Sequence, residues 1–250
     1  MTVLRVHPFI PLALLLVSVT GARAADFAFE GTARDQQGEV IYQERHRVSG
    51  SCKEGSWRPG SQKVDYIRPD GDSPFAKKSL TYPDTLIRPE VDFRQPDFNE
   101  TLEVTFGDQQ EVARVEWSLG NGEAERWKLE VTPRLVVDAG FDHFIRANWD
   151  TLREGGSVEF RFLAPTRGEA YDFVAEPDPD PLDGARHAFR IKPSGFLMGM
   201  LVDPIRLGYD EQGFLTHYSG LGNIRRNQEE NYVVDLRYRV TEPADCPLLP

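Results

Sequence analysis

Residues 136–165 read VVDAGFDHFIRANWDTLREGGSVEFRFLAP, and the two halves of this stretch follow different periods. Phe141, Phe144, Ile145, Trp149 and Leu152 recur at helical spacing and make one apolar stripe. Asp142, Arg146, Asp150 and Arg153 fall on another face, placed for charge pairing one helical turn apart. Asp138 reads as an N-cap and Gly155-Gly156 as a stop, so the pattern predicts a single long amphipathic helix over about 138–153. From Val158 the period becomes two. Val158, Phe160 and Phe162 alternate with Glu159 and Arg161, the pattern of a strand wet on one face.

Outward from this stretch the chain reads as strands. Leu102, Val104 and Phe106 alternate with polar residues. Ala113, Val115, Trp117 and Leu119 share one face, Asn121-Gly122 turns the chain, and Trp127, Leu129 and Val131 return. Tyr232, Val234, Leu236, Tyr238 and Val240 form the cleanest alternation of all. Phe27–Gly31 and Val40–Val48 read as a first hairpin, Ser49–Ser61 as a loop, and Val64–Arg68 and Phe75–Tyr82 as a pair around Pro69-Asp70-Gly71-Asp72. Pro83, Pro89 and Pro96 point to an edge strand or a loop, because proline cannot donate to a central ladder. One apolar and one charged face per strand is the mark of an antiparallel sheet buried on one side. The expected class is mainly β. One curved antiparallel sheet, an open or partly closed barrel, wraps the helix, with Phe141, Phe144, Ile145 and Trp149 plugging its core. A β-sandwich is the alternative.

The ends bound the compartment. Arg5, the apolar run Phe9–Val19 and Ala22-Arg23-Ala24 have the layout of a signal peptide, so residues 1–24 are expected to be cleaved near Ala24. Residues 25–250 then form a single β-rich domain, periplasmic or secreted. No later stretch approaches the roughly 20 apolar residues of a membrane helix. Without Arg5 and Arg23, 27 basic residues face 40 acidic ones, which argues against nucleic acid as a partner. Cys52 and Cys246 are the two cysteines, and an exported chain more often bridges such a pair than leaves two free thiols.

Motifs for chemistry are sparse. Gly71-Asp72-Ser73 echoes the GDS string of a lipase-like esterase family, but it is crowded by Pro69 and Pro74 and reads as a turn. His46, His143, His187 and His217 show no metal-ligand spacing, and no metal or cofactor is expected. Asp178, Asp180 and Asp183 lie in a proline-rich loop with oxygen ligands that calcium could use, but without the later bidentate Glu. A solvated acidic loop is the plainer reading.

The strings PDGDSPFAKKSLTY, VDAGFDHFIRANWDTL, MLVDPIRLGYD and HYSGLGNI…ENYVVDLRY resemble a family of exported, uncharacterised bacterial β-rich proteins with no assigned activity. The resemblance carries no catalytic residue across. The expectation is a non-enzymatic protein that binds an apolar ligand, such as a lipid or acyl chain, in the concavity of the sheet. Its candidate contacts are Trp117, Trp127 and the apolar run Ser194–Val202 with Phe196, Met198 and Met200, where flexible methionines suit varied apolar partners. A secreted hydrolase with residues gathered from distant positions, and an envelope-assembly or structural partner protein, are the alternatives.

Overall fold

The computed structural model describes residues 25–194 and 203–250. They form one sheet of fifteen strands: β1 (Ala25–Arg34), β2 (Val40–Lys53), β3 (Ser56–Ile67), β4 (Pro74–Thr81), β5 (Glu90–Gln95), β6 (Glu100–Phe106), β7 (Val112–Ser118), β8 (Glu125–Glu130), β9 (Leu135–Val136), β10 (Val158–Ala164), β11 (Glu169–Pro177), β12 (His187–Pro193), β13 (Ile205–Tyr209), β14 (Leu215–Arg225) and β15 (Asn231–Glu242). Their order is β8-β7-β6-β5-β4-β3-β2-β1-β15-β14-β13-β12-β11-β10-β9. Every neighbour is a neighbour in sequence except β1 and β15, which pair antiparallel and join the two halves. The sheet is mixed, because β9 and β10 run parallel. It is also open, since β8 and β9 are edges. The sandwich alternative does not hold, because a single sheet carries all the strands.

The helical stretch is two short helices, α1 (Gly140–Ala147) and α2 (Trp149–Arg153), rather than one long one. Asn148 breaks it. Its backbone sits at φ −113°, ψ 20°, and its side chain donates to the Phe144 carbonyl at 2.8 Å, ending α1 in the way short polar side chains compete with helical bonds. Asp138 is not the N-cap either. Ala139 holds that position, while Asp138 adopts the left-handed region at φ 44°. The apolar stripe behaves as its spacing demands. Phe144, Ile145, Trp149 and Leu152 are buried with Phe160, Phe189, Ile191, Leu207 and Tyr209, so the helices fill the concave side of β10–β13. Their other flank meets the opposite wall, with His143 edge-on to Tyr82 (centroids 5.3 Å apart) and Phe141 against Tyr218 (6.0 Å). A curl of this many strands is too wide for its own side chains to fill, as eight can, and the helices take up part of the difference.

Two local expectations change. Ser49–Ser61 is not a loop but the tip of the β2–β3 hairpin, turned at Glu54 and Gly55, both at positive φ (52° and 83°) as a type I′ turn requires. Glu90–Gln95 is a strand paired on both sides, because Pro89 and Pro96 stand just outside its ladder and remove no bond from it.

The end of the curl where β15 finishes is sealed. Cys246 is disulfide-bonded to Cys52, as expected. Trp57 N donates to Pro247 O at 2.7 Å, and Leu248 packs with Phe27, Val48, Trp57 and Phe214. Leu249 reaches the helix-bearing core, so this tail lies across the floor and touches both halves.

Candidate functional site

The inward faces of β1–β4 should be apolar, and the flanking ones are. Within β2, however, the inward row is Tyr42, Glu44, His46 and Val48, with Gln43, Arg45 and Arg47 pointing out. On β3 and β4 the same face carries Gln62 and Lys78, both buried. The register sets Glu44 opposite Tyr66, and His46 opposite Val64, which in turn faces Lys78. A polar band therefore crosses the concave wall, where a buried polar group must find partners.

A chain of hydrogen bonds supplies them. Tyr82 OH donates to Gln62 Oε1 (3.2 Å), and Gln62 Nε2 donates to His46 Nδ1 (2.9 Å). With Nδ1 accepting, the imidazole carries its proton on Nε2 and donates to Glu44 Oε2 (2.8 Å). Tyr238 OH donates to the same Oε2 at 2.9 Å. Tyr238 belongs to β15 and reaches Glu44 by crossing β1 at Gly31, which faces both residues in the ladders. A Cβ at position 31 would fall 2.6 Å from the Tyr238 ring, so the missing side chain makes the contact possible. Phe29 stacks on His46 with centroids 4.1 Å apart and fixes the ring from its other face.

Beside this chain sit two ion pairs. Lys78 Nζ donates to Asp138 Oδ1 at 2.8 Å, and the same oxygen accepts from Ala139 N, which pins the left-handed residue ahead of α1. Asp142 pairs with Arg146, accepts from Tyr209 OH at 3.0 Å, and has its pKa raised, because burial outweighs these partners. Arg146 Nε also donates to Gly213 O at 2.7 Å and ties α1 to the floor. Burial pushes His143 well below the ordinary histidine range, helped by Arg146 and Arg58. Burial likewise raises the pKa of the phenols Tyr42, Tyr66 and Tyr238, with Glu44 the next cause for each. Inward side chains on the surrounding strands, among them Tyr218, Tyr232, Tyr238 and Phe75, are only half-buried.

The residues singled out in the sequence lie elsewhere. Trp117 Nε1 donates to Glu100 Oε1 at 2.9 Å. Arg225 Nε lies 3.0 Å from that oxygen, at an angle outside a hydrogen bond, with its guanidinium 5.8 Å from the indole centroid. Gln95 clamps the Arg225 backbone from the other side (2.9 and 3.2 Å), so Trp117 belongs to a strut joining β5–β7 to β14. Trp127 lies flat on Gly168, where a Cβ would sit 2.1 Å from the indole. It closes the seam between β8 and the β10–β11 turn. Phe196, Met198 and Met200 lie outside the described residues. In the acidic loop, Asp178 is paired with Arg206 at 2.6 Å and the Asp180 carbonyl accepts from the same guanidinium, so arginine meets the charge a cation would. No trio of His, Cys, Asp or Glu among the described residues is placed to hold a metal ion. Nor is any helix among them long and apolar enough to cross a membrane. Two open grooves, of about 380 and 340 Å³, lie on the charged face of β6–β8 and at the seam, away from the polar band.

Sequence reading missed the polar band, although one signal was present. Glu44 and His46 occupy the inward phase of β2 between Tyr42 and Val48, a phase violation that periodicity alone exposes. No family model and no curated protein matches the chain. Among solved structures it is similar to a β-barrel-like protein of a domain of unknown function (DUF1849) from Brucella abortus. That match has 10% identity and a TM-score of 0.40, and covers 89% of this chain and 98% of the other. It is also similar to a putative outer membrane lipoprotein-sorting protein domain from Vibrio parahaemolyticus, with 9% identity and a TM-score of 0.25 over 87% and 83% of the two chains.

Proposed function

We propose that the protein is exported, loses residues 1–24, and acts without catalysis as a single-domain binder of an apolar ligand, such as a lipid or acyl chain, in the concavity of its sheet. The observation that carries this reading is the half-buried aromatic wall inside a curl whose floor is sealed. Tyr218, Tyr232, Tyr238 and Phe75 are half-buried and pack against the core of that wall, while the tail around Cys246 covers one end. Aromatic walls with a few placed polar groups are the usual lining of small-molecule sites. The disulfide fits an oxidising compartment.

The test is a titration of the purified, exported protein with an environment-sensitive apolar dye, followed by native mass spectrometry of material that has never met detergent. Saturable dye binding, displaced by a long-chain alcohol or fatty acid, is the expected result. A protein that carries no adduct and takes up no dye would end the proposal.

A further inference from the structure

His217 points outward from the sheet and is nevertheless buried. Its neighbour Tyr218 meets Phe141 on the concave side, so His217, one residue away in β14, projects from the convex face. A side chain there should be wet, yet His217 is 2% exposed. Its cover is the acidic segment 178–186, which runs over β13 and β14 as a strap. Gly208 lies opposite His217 in the ladder. A Cβ on Gly208 would fall 2.7 Å from Ala185 Cβ, 3.0 Å from His217 Cβ and 3.5 Å from Leu182 Cδ1. The strap therefore rests on the bare backbone of Gly208, beside the imidazole, with its Leu182 buried.

Two arginines hold the strap down. Arg206 of β13 pairs with Asp178 and donates to the Asp180 carbonyl, and Arg237 of β15 donates to the Asp183 carbonyl. His217 stands between them, directly opposite Arg237 in one ladder and diagonal to Arg206 in the other. Its Nε2 donates to Asp235 Oδ2 at 2.7 Å, and Oδ1 of that carboxylate accepts from Arg237 Nε. Its Nδ1 is buried and has no partner among the described residues. The charged groups around the ring are thus Asp235 and Arg237 from β15 and Arg206 from β13. The strap's side chains at this spot are the apolar Leu182 and Ala185. Of its charges, Asp178 is taken by Arg206 and Arg186 by Glu211, while Asp180 and Asp183 are exposed.

A second proton on this ring would sit on Nδ1, buried and without a partner, and would place a positive charge between the two arginines that hold the strap. One carboxylate, already shared with Arg237, opposes it. Burial accordingly holds the His217 pKa below the ordinary histidine value, with Asp235 pulling against it and Arg237 and Arg206 adding to it. Lifting the strap returns the ring to water and removes the cost.

We propose that segment 178–186 is an acid-released strap, closed over His217 at neutral pH and opened when His217 takes up a proton. The uncovered ring has an ordinary pKa near 6.5 and the covered one a lower pKa, so the closed form is favoured above about pH 6.5 and loses ground as pH falls below it. The strap lies on the convex face, so the device is independent of what the cup binds.

Amide exchange over 178–186 tests it, because Asp178 N and Arg186 N donate to the Ala188 and Tyr209 carbonyls and fix the two ends of the strap. Rates are measured from pH 7.5 to 5, above the ordinary carboxylate range, and divided by those of an unfolded peptide of the same sequence. Amides of β2 report any loss of the whole fold. Below pH 6.5 the strap amides should lose protection severalfold beyond any loss in β2, by at most tenfold per pH unit for a single proton. His217→Gln, which can donate to Asp235 but takes no proton, should abolish the change. Strap protection that is flat across this range, or that falls only in step with β2, overturns the proposal, and so does the same fall in a folded His217→Gln. Where that variant does not fold, nuclear magnetic resonance of the His217 ring in the wild-type protein decides. Its titration midpoint should coincide with that of strap opening, and a strap that opens while the ring stays neutral overturns the proposal.

Discussion

Trp149→Ala measures how much of the stability rests on the helices inside the curl. The indole is 6% exposed and meets three rings edge-on, with centroids at 5.1 Å (His187), 5.5 Å (Phe189) and 5.5 Å (Tyr209). A buried Trp hides roughly 150–250 Å², which at about 25 cal/mol/Å² is about 4–6 kcal/mol, an upper bound because the unfolded chain already shields part of that area. Truncation also leaves a cavity walled by Phe189, Ile191, Leu207 and Tyr209, which strands hold in place and which cannot collapse far. The expected loss is about 3–5 kcal/mol, a large share of the ~5–15 kcal/mol available to a domain. Urea unfolding followed by far-ultraviolet circular dichroism reads it as a lower midpoint with an unchanged slope; indole fluorescence would be confounded by the substitution itself. A loss below about 1 kcal/mol would show that the stripe does not carry the core. Trp127→Ala is the control: half-buried at the seam, it should cost clearly less.

Three further outcomes are expected. Reduction of Cys52–Cys246 frees a loop of 194 residues' separation, which on the chain-entropy model is worth up to about 5 kcal/mol; a melting temperature unmoved by reductant would contradict the tail's role as a floor. Stability should fall as pH drops below about 6.5, because His143 has a depressed pKa in the fold and an ordinary one when unfolded, so the unfolded chain takes up the extra proton. His217, depressed by burial against the pull of Asp235, adds in the same direction, and the slope reaches at most ~1.4 kcal/mol per pH unit for each group; His143→Phe that leaves the urea midpoint's pH dependence untouched would reject the assignment. Gly31→Ala should cost about 1–3 kcal/mol by forcing the Tyr238 ring off Glu44, read as a drop in the same midpoint, whereas a neutral result would mean the ring swings aside freely.

The fold class was legible because each long strand keeps one apolar phase. Tyr232, Val234, Leu236 and Tyr238 of β15 needed no context to be read, and neither did the stripe from Phe141 to Leu152. The failures have local causes. Asn148 looks like one more polar residue on the helix's wet side, and only its side-chain bond to the Phe144 carbonyl shows that it ends a helix there. The β2–β3 hairpin was hidden because Glu54 takes a left-handed conformation that glycine usually marks, and Ser, Gly and Pro around it mimic a loop. The candidate site was harder still. Its members come from β2, β3, β4, β15 and the turn before α1, and only the pairing of β15 with β1 brings Tyr238 to Glu44. Trp117 and Trp127 drew attention by size, but their indoles serve the strut and the seam.

The seam itself follows from counting. In an order of fifteen strands with every neighbour antiparallel, the first and last run the same way. Here those edges are β8 and β9, and they are consecutive in the chain, joined by the short segment 131–134. In the observed ladders these two strands run oppositely. One parallel step must therefore occur somewhere, and it occurs at β9·β10, the pair separated by α1 and α2, because only a long crossover can return the chain to the end from which it started. The helices thus set the parity of the sheet as well as filling it. The crossover leaves the wall after β9, which has two residues against the six of β8. The exposed edge of β8 is then covered by another means: Trp127 lies on Gly168 of the β10–β11 turn. Filling and parity are separable by experiment. Trp149→Ala should weaken the filling and leave the strand order intact, so the variant should keep its native far-ultraviolet spectrum in the absence of urea even as its midpoint falls.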